Sequence, residues 1–104
     1  MRILIIGGSG FLGIHLAEEL VKKGYKINIL NIKKPKNLRK EINFFYGDII
    51  QSKDLIKATK NCQIVFHLGG ISDIKYSINN PYKTIKTNVM GTMNILDICV
   101  KKKN

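Results

Sequence analysis

These 104 residues contain no tryptophan, two prolines, two cysteines and only seven acidic side chains. Each scarcity excludes something. Cys62 and Cys99 stand far apart, without Cys-x-x-Cys spacing and without His15 or His67 beside them in sequence, so neither a disulfide framework nor a zinc site has support. They read as two reduced, buried thiols. So few prolines, with 44% hydrophobic and 24% charged residues, give the balance of a folded globular chain rather than a disordered one. No apolar run approaches the ~18 residues of a membrane span. Ile3-Leu4-Ile5-Ile6, ahead of Gly7, is shorter than the roughly 7–15 residues of a signal-peptide core, so a cytoplasmic location is expected.

The acidic deficit is the largest of these biases. Eighteen Lys plus Arg against seven Asp plus Glu leave a formal charge of +11, which favours nucleic acid or anionic membrane where it is clustered. Here all but Arg2 and Arg39 are lysines, dispersed among many Ile and Asn, a mixture that AT-rich coding also produces. A dispersed excess is a solubility feature, so neither membrane nor nucleic acid is the expected partner. At 11.8 kDa the chain is one domain at most, and small for a complete cofactor enzyme.

What is present alternates between two periods. Residues 2 to 6 are continuously apolar and bounded by glycines, as in a strand buried on both faces. From Phe11 to Lys23 the residues Leu12, Leu16, Leu20 and Val21 recur at helical spacing, and Lys22, Lys23 and Gly24 supply a stop. Tyr25 to Leu30 reads as a second strand, ended by the basic loop Lys33-Lys34-Pro35-Lys36, and Asn43 to Tyr46 as a third, closed by Gly47-Asp48. A short helix is predicted from about Lys53 to Thr59 with Ser52 as its N-cap, then a fourth strand from Gln63 to Leu68. After Gly69-Gly70 a final helix is expected to start near Asn80-Pro81 and to end in Lys101-Lys102-Lys103, where cations suit the helix dipole. The predicted class is α/β, a three-layer Rossmann-type parallel sheet of order 3-2-1-4 that stops before the second half of the doubly wound fold.

Gly7-Gly8-Ser9-Gly10-Phe11-Leu12-Gly13 fits a dinucleotide fingerprint, and its place between a strand and a helix is the context such a motif requires. Glycines let the backbone approach a pyrophosphate, the helix N-terminus offers unpaired N–H groups, and Gly13 lets helix and strand pack closely. The acidic residue expected at the end of the second strand is Asn31 here, which can bond a ribose hydroxyl but does not repel a 2′-phosphate. Lys33 and Lys34 could attract one. NAD is the expected cofactor, with NADP as the alternative; Asn31 as a plain turn former is the competing reading.

Four segments, in order, resemble the N-terminal third of the extended short-chain dehydrogenase/reductase family, in particular its nucleotide-sugar epimerases and dehydratases. They are Ile6-Gly7-Gly8-Ser9-Gly10-Phe11-Leu12-Gly13, Gly47-Asp48-Ile49, Val65-Phe66-His67-Leu68-Gly69-Gly70, and Asn79-Asn80-Pro81 through Asn88-Val89-Met90-Gly91-Thr92-Met93-Asn94. The resemblance implies that Asp48 bonds the adenine amino group beside Ile49, and that Leu68, Gly69 and Gly70 line the cofactor. Gly69, where the family often has alanine, would leave the cofactor room. By the same resemblance Ser72 approaches the nicotinamide ribose and Asn88 supports the active site from the last helix. Asp48 as a turn carboxylate, Asn88 as a backbone-bonding helix residue and His67 as a packed strand residue are the plainer readings. The family's catalytic Tyr-x-x-x-Lys pair and its Ser or Thr are expected beyond Asn104. Tyr82-Lys83-Thr84-Ile85-Lys86 matches the spacing, but lysine is so abundant here that chance supplies such a pair, and it sits on the wrong helix. No catalytic residue is assigned. The expected function is therefore NAD(P) binding, by residues 1–104, for an epimerase/dehydratase whose nucleotide-sugar chemistry needs a longer chain. The alternatives are a free-standing NAD(P)-binding or interaction module that pairs with a second chain along its exposed fourth strand, and a nucleic-acid binder driven by charge.

Overall fold

A computed structural model describes residues 1–7 and 11–102. Its sheet is built from runs too apolar to face water. The first strand, β1 (Arg2–Ile6), lies at the centre with Ile3, Leu4, Ile5 and Ile6 no more than 2% exposed, because both of its faces are covered. Around it run α1 (Phe11–Lys22), β2 (Lys26–Asn31), β3 (Ile42–Tyr46), α2 (Ser52–Ala58) and β4 (Ile64–His67). All pairings are parallel and the strand order is β3-β2-β1-β4, which agrees with the predicted class and order. Strand period two sends Ile3 and Ile5, with Ile27 and Ile29 of β2, to the face where Ala17 of α1 packs. Leu4, Ile6 and Leu30 point the other way, to a core shared with Leu55 and Ala58 of α2.

One buried polar residue interrupts that second face. Asn28, 2% exposed on β2, donates its amide to the Ala58 carbonyl at 2.9 Å. Its oxygen accepts from Arg2 at 3.0 Å and from Asn43 at 3.3 Å. It thereby ties β1, β2, β3 and the end of α2 together. Asn28→Ala is expected to cost about 1–2 kcal/mol, read as a lower urea midpoint at unchanged slope, because it leaves the Ala58 carbonyl without that donor.

The strand limits fall within a residue or two of those expected. The helices differ more. Ser52 does not cap α2: the chain turns one residue earlier, with Gln51 N–H on the Asp48 carbonyl at 2.9 Å, so Gln51 is the cap and makes no side-chain cap bond. An unexpected short helix, α3 (Ile74–Asn79), follows β4, and the single final helix expected from Asn80-Pro81 is three pieces: α4 (Pro81–Ile85), a π-helical turn (Lys86–Met90) and α5 (Gly91–Lys102). Pro81 does open α4, but the Asn80 side chain makes no cap bond and donates back to the Tyr76 carbonyl at 3.1 Å. The expected pair of buried thiols is also corrected. Cys62 is half-buried, with burial pushing its thiol pKa up against the pull of Arg2 and Lys102. Cys99 is exposed, since α5 turns Ile95 and Ile98 inward instead. Among the described residues no helix is long and apolar enough to cross a membrane.

Candidate functional site

At the carboxyl ends of β1, β2 and β3 the chain leaves a cleft of ≈ 310 Å³. In an open parallel sheet this edge is where ligands bind, beside the point where strand order reverses; here the reversal is between β1, which leads to β2, and β4 on its other flank. Ile6, Gly7, Leu30, Asn31, Asp48 and Gly69 are among the residues facing the cleft.

Gly7 closes β1. Its N–H donates to the Leu30 carbonyl at 2.9 Å, and its φ of 78° is in the left-handed region. A Cβ placed there would lie 2.6 Å from the Leu68 carbonyl oxygen. Only a residue without a side chain lets the main chain turn there between β2 and β4. Gly10 lies outside the described residues. Phe11, Leu12 and Gly13 form the first turn of α1, whose N–H groups find no partner within the helix. The Phe11 and Leu12 side chains are exposed and Gly13 is buried; none of the three lines the cleft.

Asn31 ends β2 at the cleft's rim, its side-chain oxygen accepting from Ile32 N–H at 2.9 Å. Asp48 follows β3. One of its oxygens accepts from Ile50 N–H at 3.2 Å, and its own N–H donates to Asp54 at 3.1 Å. Asp48 is thus a turn carboxylate and a cleft residue at once. Ile49 beside it is buried, also lines the cleft, and accepts from Asn94 of α5 at 3.0 Å. Leu68 instead joins the core under α1. Gly69 faces the cleft, but a Cβ on it would lie 2.8 Å from Ile6 Cγ2, so the space its hydrogen leaves is taken by Ile6 and not kept for a ligand. Gly70 and Ser72 are exposed and outside the cleft lining.

Asn88 stands one step behind the wall. Its oxygen accepts from Ile71 N–H at 2.7 Å and its amide donates to the Ile71 carbonyl at 2.9 Å, so one side chain grips both polar groups of a lining residue. This is more than the neighbouring-backbone bond of the plain reading, since it spans from the π-helical turn to the loop after β4. Tyr76, Lys83 and Thr87 also reach the cleft and escaped the sequence reading. No local motif marks them; Thr87, next to Asn88, is the one a neighbouring signal could have found. Tyr82 is 79% exposed and does not line the cleft.

A family model described as the NAD dependent epimerase/dehydratase family matches residues 3–104. The chain belongs to that family. It is 36% identical over 98 residues to the human sterol-4-alpha-carboxylate 3-dehydrogenase, decarboxylating, covering 94% of this chain and 25% of the enzyme. It is 37% identical over 108 residues to the UDP-N-acetyl-alpha-D-glucosaminuronate decarboxylase of Bacillus cytotoxicus, covering 98% of this chain and 34% of that one. Among solved structures, the Thermus thermophilus UDP-glucose 4-epimerase in complex with NAD superposes with a TM-score of 0.87 at 29% identity, over 95% of this chain and 33% of that chain. The Thermotoga maritima UDP-glucose 4-epimerase with UDP-glucose gives 0.90 at 27%, over 97% and 34%. The chain therefore spans a quarter to a third of the length of these family members, their N-terminal part. Enzymes named for a sterol and for UDP-sugars share that part.

Proposed function

We propose that this chain binds NAD in the cleft at the carboxyl ends of its strands, as the dinucleotide-binding part, residues 1–104, of an epimerase/dehydratase-type enzyme. The observation that carries the reading is Gly7: a left-handed turn, bare of side chain, that hands β1 over to the first turn of α1 beside a cleft of ligand size. On this reading the pyrophosphate lies against Gly7, Gly10 and the N–H groups of Phe11, Leu12 and Gly13. Asn31 serves the adenosine ribose, and Asp48 with Ile49 serves the adenine. Gly69 backs the cofactor directly, with Leu68 and Gly70 flanking it outside the cleft lining, while Ser72, also outside that lining, and Asn88, through Ile71, serve its nicotinamide end. When bound, the nicotinamide supplies the hydride acceptor and donor. On this reading residues 1–104 supply cofactor binding, and no catalytic role is assigned to any of them.

Calorimetric titration with NAD and NADP tests the assignment. Asn31→Asp keeps the acceptor for Ile32 N–H and adds a charge where a 2′-phosphate would sit. It is expected to weaken NADP roughly tenfold while leaving NAD equal or tighter. Equal losses for both cofactors would remove Asn31 from the ribose site, and no binding of either would remove the proposal.

A second reading, an interaction module that pairs with another chain, is favoured by β4. It is an edge strand whose Ile64 and Phe66, opposite Ile3 and Ile5 on the α1 face, are 38% and 37% exposed. A well-folded oligomer in sedimentation, unaffected by NAD, would support it over the first.

A further inference from the structure

His67 ends β4 behind the cleft wall, and its neighbours fix its protonation state. The Thr92 hydroxyl donates to the Asn88 carbonyl at 2.6 Å, and its oxygen lies 3.1 Å from His67 Nε2. A hydroxyl has one proton, so with that proton committed to Asn88 the ring nitrogen must be the donor and Nε2 carries hydrogen. On the ring's other side Gly69 N–H donates to Nδ1 at 3.2 Å, which must then be bare. One neutral tautomer satisfies both contacts. The imidazolium would set a second N–H against that of Gly69.

One end of this chain of bonds is a wall residue and the other holds one. Gly69 faces the cleft directly, and Asn88 holds both polar groups of Ile71, which also faces it. Between them run only His67 and Thr92. We infer that His67 is a positioning residue whose neutral ring holds the Gly69 to Ile71 wall of the nucleotide cleft, so that acid loosens the wall and weakens nucleotide binding. The inference rests on the assignment of this cleft to a dinucleotide.

The ionisable groups on the surrounding elements do not act on the ring. Arg2 is at the opposite end of β1 and bonded to Asn28. Lys83 and Lys86 lie on α4 and the π-helical turn, and Asp97 and Lys101 of α5 pair with each other more than a turn beyond Thr92. Lys102 acts instead on Cys62. Burial alone lowers the ring's pKa from its ordinary 6.5. A histidine value lowered by folding means that the stabilising neutral form is complete above 6.5 and is lost as pH falls through the lower folded value.

Nuclear magnetic resonance on the full chain without nucleotide gives the first test. The Gly69 amide signal should move with the His67 ring as pH falls from about 8 to about 5. By linkage, saturating NAD should push the ring's titration further down. Calorimetry over the same range should show NAD affinity falling roughly three- to tenfold, the worth of one such hydrogen bond. In His67→Asn the side-chain oxygen can replace Nδ1 as acceptor without titrating, so that variant should bind NAD with an affinity flat across the range. A Gly69 amide indifferent to the ring's titration, or a His67→Asn variant that keeps the wild-type pH dependence, overturns the inference. Absence of NAD binding at every pH overturns the cofactor assignment and the nucleotide half of the inference with it. The Gly69 amide still decides the positioning half.

Discussion

Gly7→Ala is expected to be far more damaging than Gly24→Ala, although both glycines have left-handed backbone, at φ 78° and 92°. A methyl at Gly24 meets nothing within 4 Å, so that variant isolates the conformational cost of a side chain at positive φ, about 1 kcal/mol. At Gly7 the same methyl would lie 2.6 Å from the Leu68 oxygen and 2.7 Å from its carbon. Those atoms are backbone at the end of β4 and cannot rotate away. Relief requires β1 and β4 to part where Leu68 N–H meets the Ile6 carbonyl at 2.8 Å. The expected cost is about 2–4 kcal/mol, or a fall in melting temperature of roughly 4–8 °C for each kcal/mol. NAD affinity should collapse with it, whereas Gly24→Ala should bind as the wild type does. Equal stability losses in the two variants would show that Gly7 is needed only for its dihedral angle and not for the close approach of β4.

That close approach also explains which parts of the molecule were legible in the sequence. Ile3 to Ile6 announced a central parallel strand because burial on both faces requires an unbroken apolar run, and the glycines after it announced the turn. Asp48 was visible because its role is local, a turn at a strand's end. α3 was not visible: Ile74 and Ile78 are 77% and 73% exposed, so it has no buried face to impose a helical period. Asp73 holds it instead, accepting from Tyr76 N–H at 2.9 Å, and a lone cap residue is a weak signal. The π-helical turn likewise has no sequence period of its own, yet it decides which residues between Lys86 and Met90 face the cleft. Thr87 entered the site through that turn, Tyr76 and Lys83 through the placing of α3 and α4. Gly69 shows the reverse error. Its missing methyl was assigned to the ligand, but the neighbour that needs the space, Ile6, is distant in sequence and only the β1–β4 pairing brings it there.

Asn88→Ala should give the second large effect, and it separates the wall of the cleft from the fold that carries it. The substitution deletes both bonds to Ile71, at 2.7 and 2.9 Å, and leaves an N–H and a carbonyl of a half-buried loop without those partners. The expected cost is about 2–4 kcal/mol, with NAD affinity reduced tenfold or more as the loop after β4 loses its anchor. Asn88→Asp does not rescue it. The carboxylate keeps an acceptor for Ile71 N–H but sets its second oxygen against the Ile71 carbonyl, where the amide had donated, so affinity should stay low at neutral pH. Hydrogen exchange at the Ile71 amide should accelerate in Asn88→Ala while the β1 and β2 amides stay protected, because the sheet core does not depend on this side chain. An Ile71 amide that exchanges faster with NAD affinity unchanged would mean that the loop carries no part of the site. The cofactor would then have to be sought on the Asn31 and Asp48 side of the cleft alone.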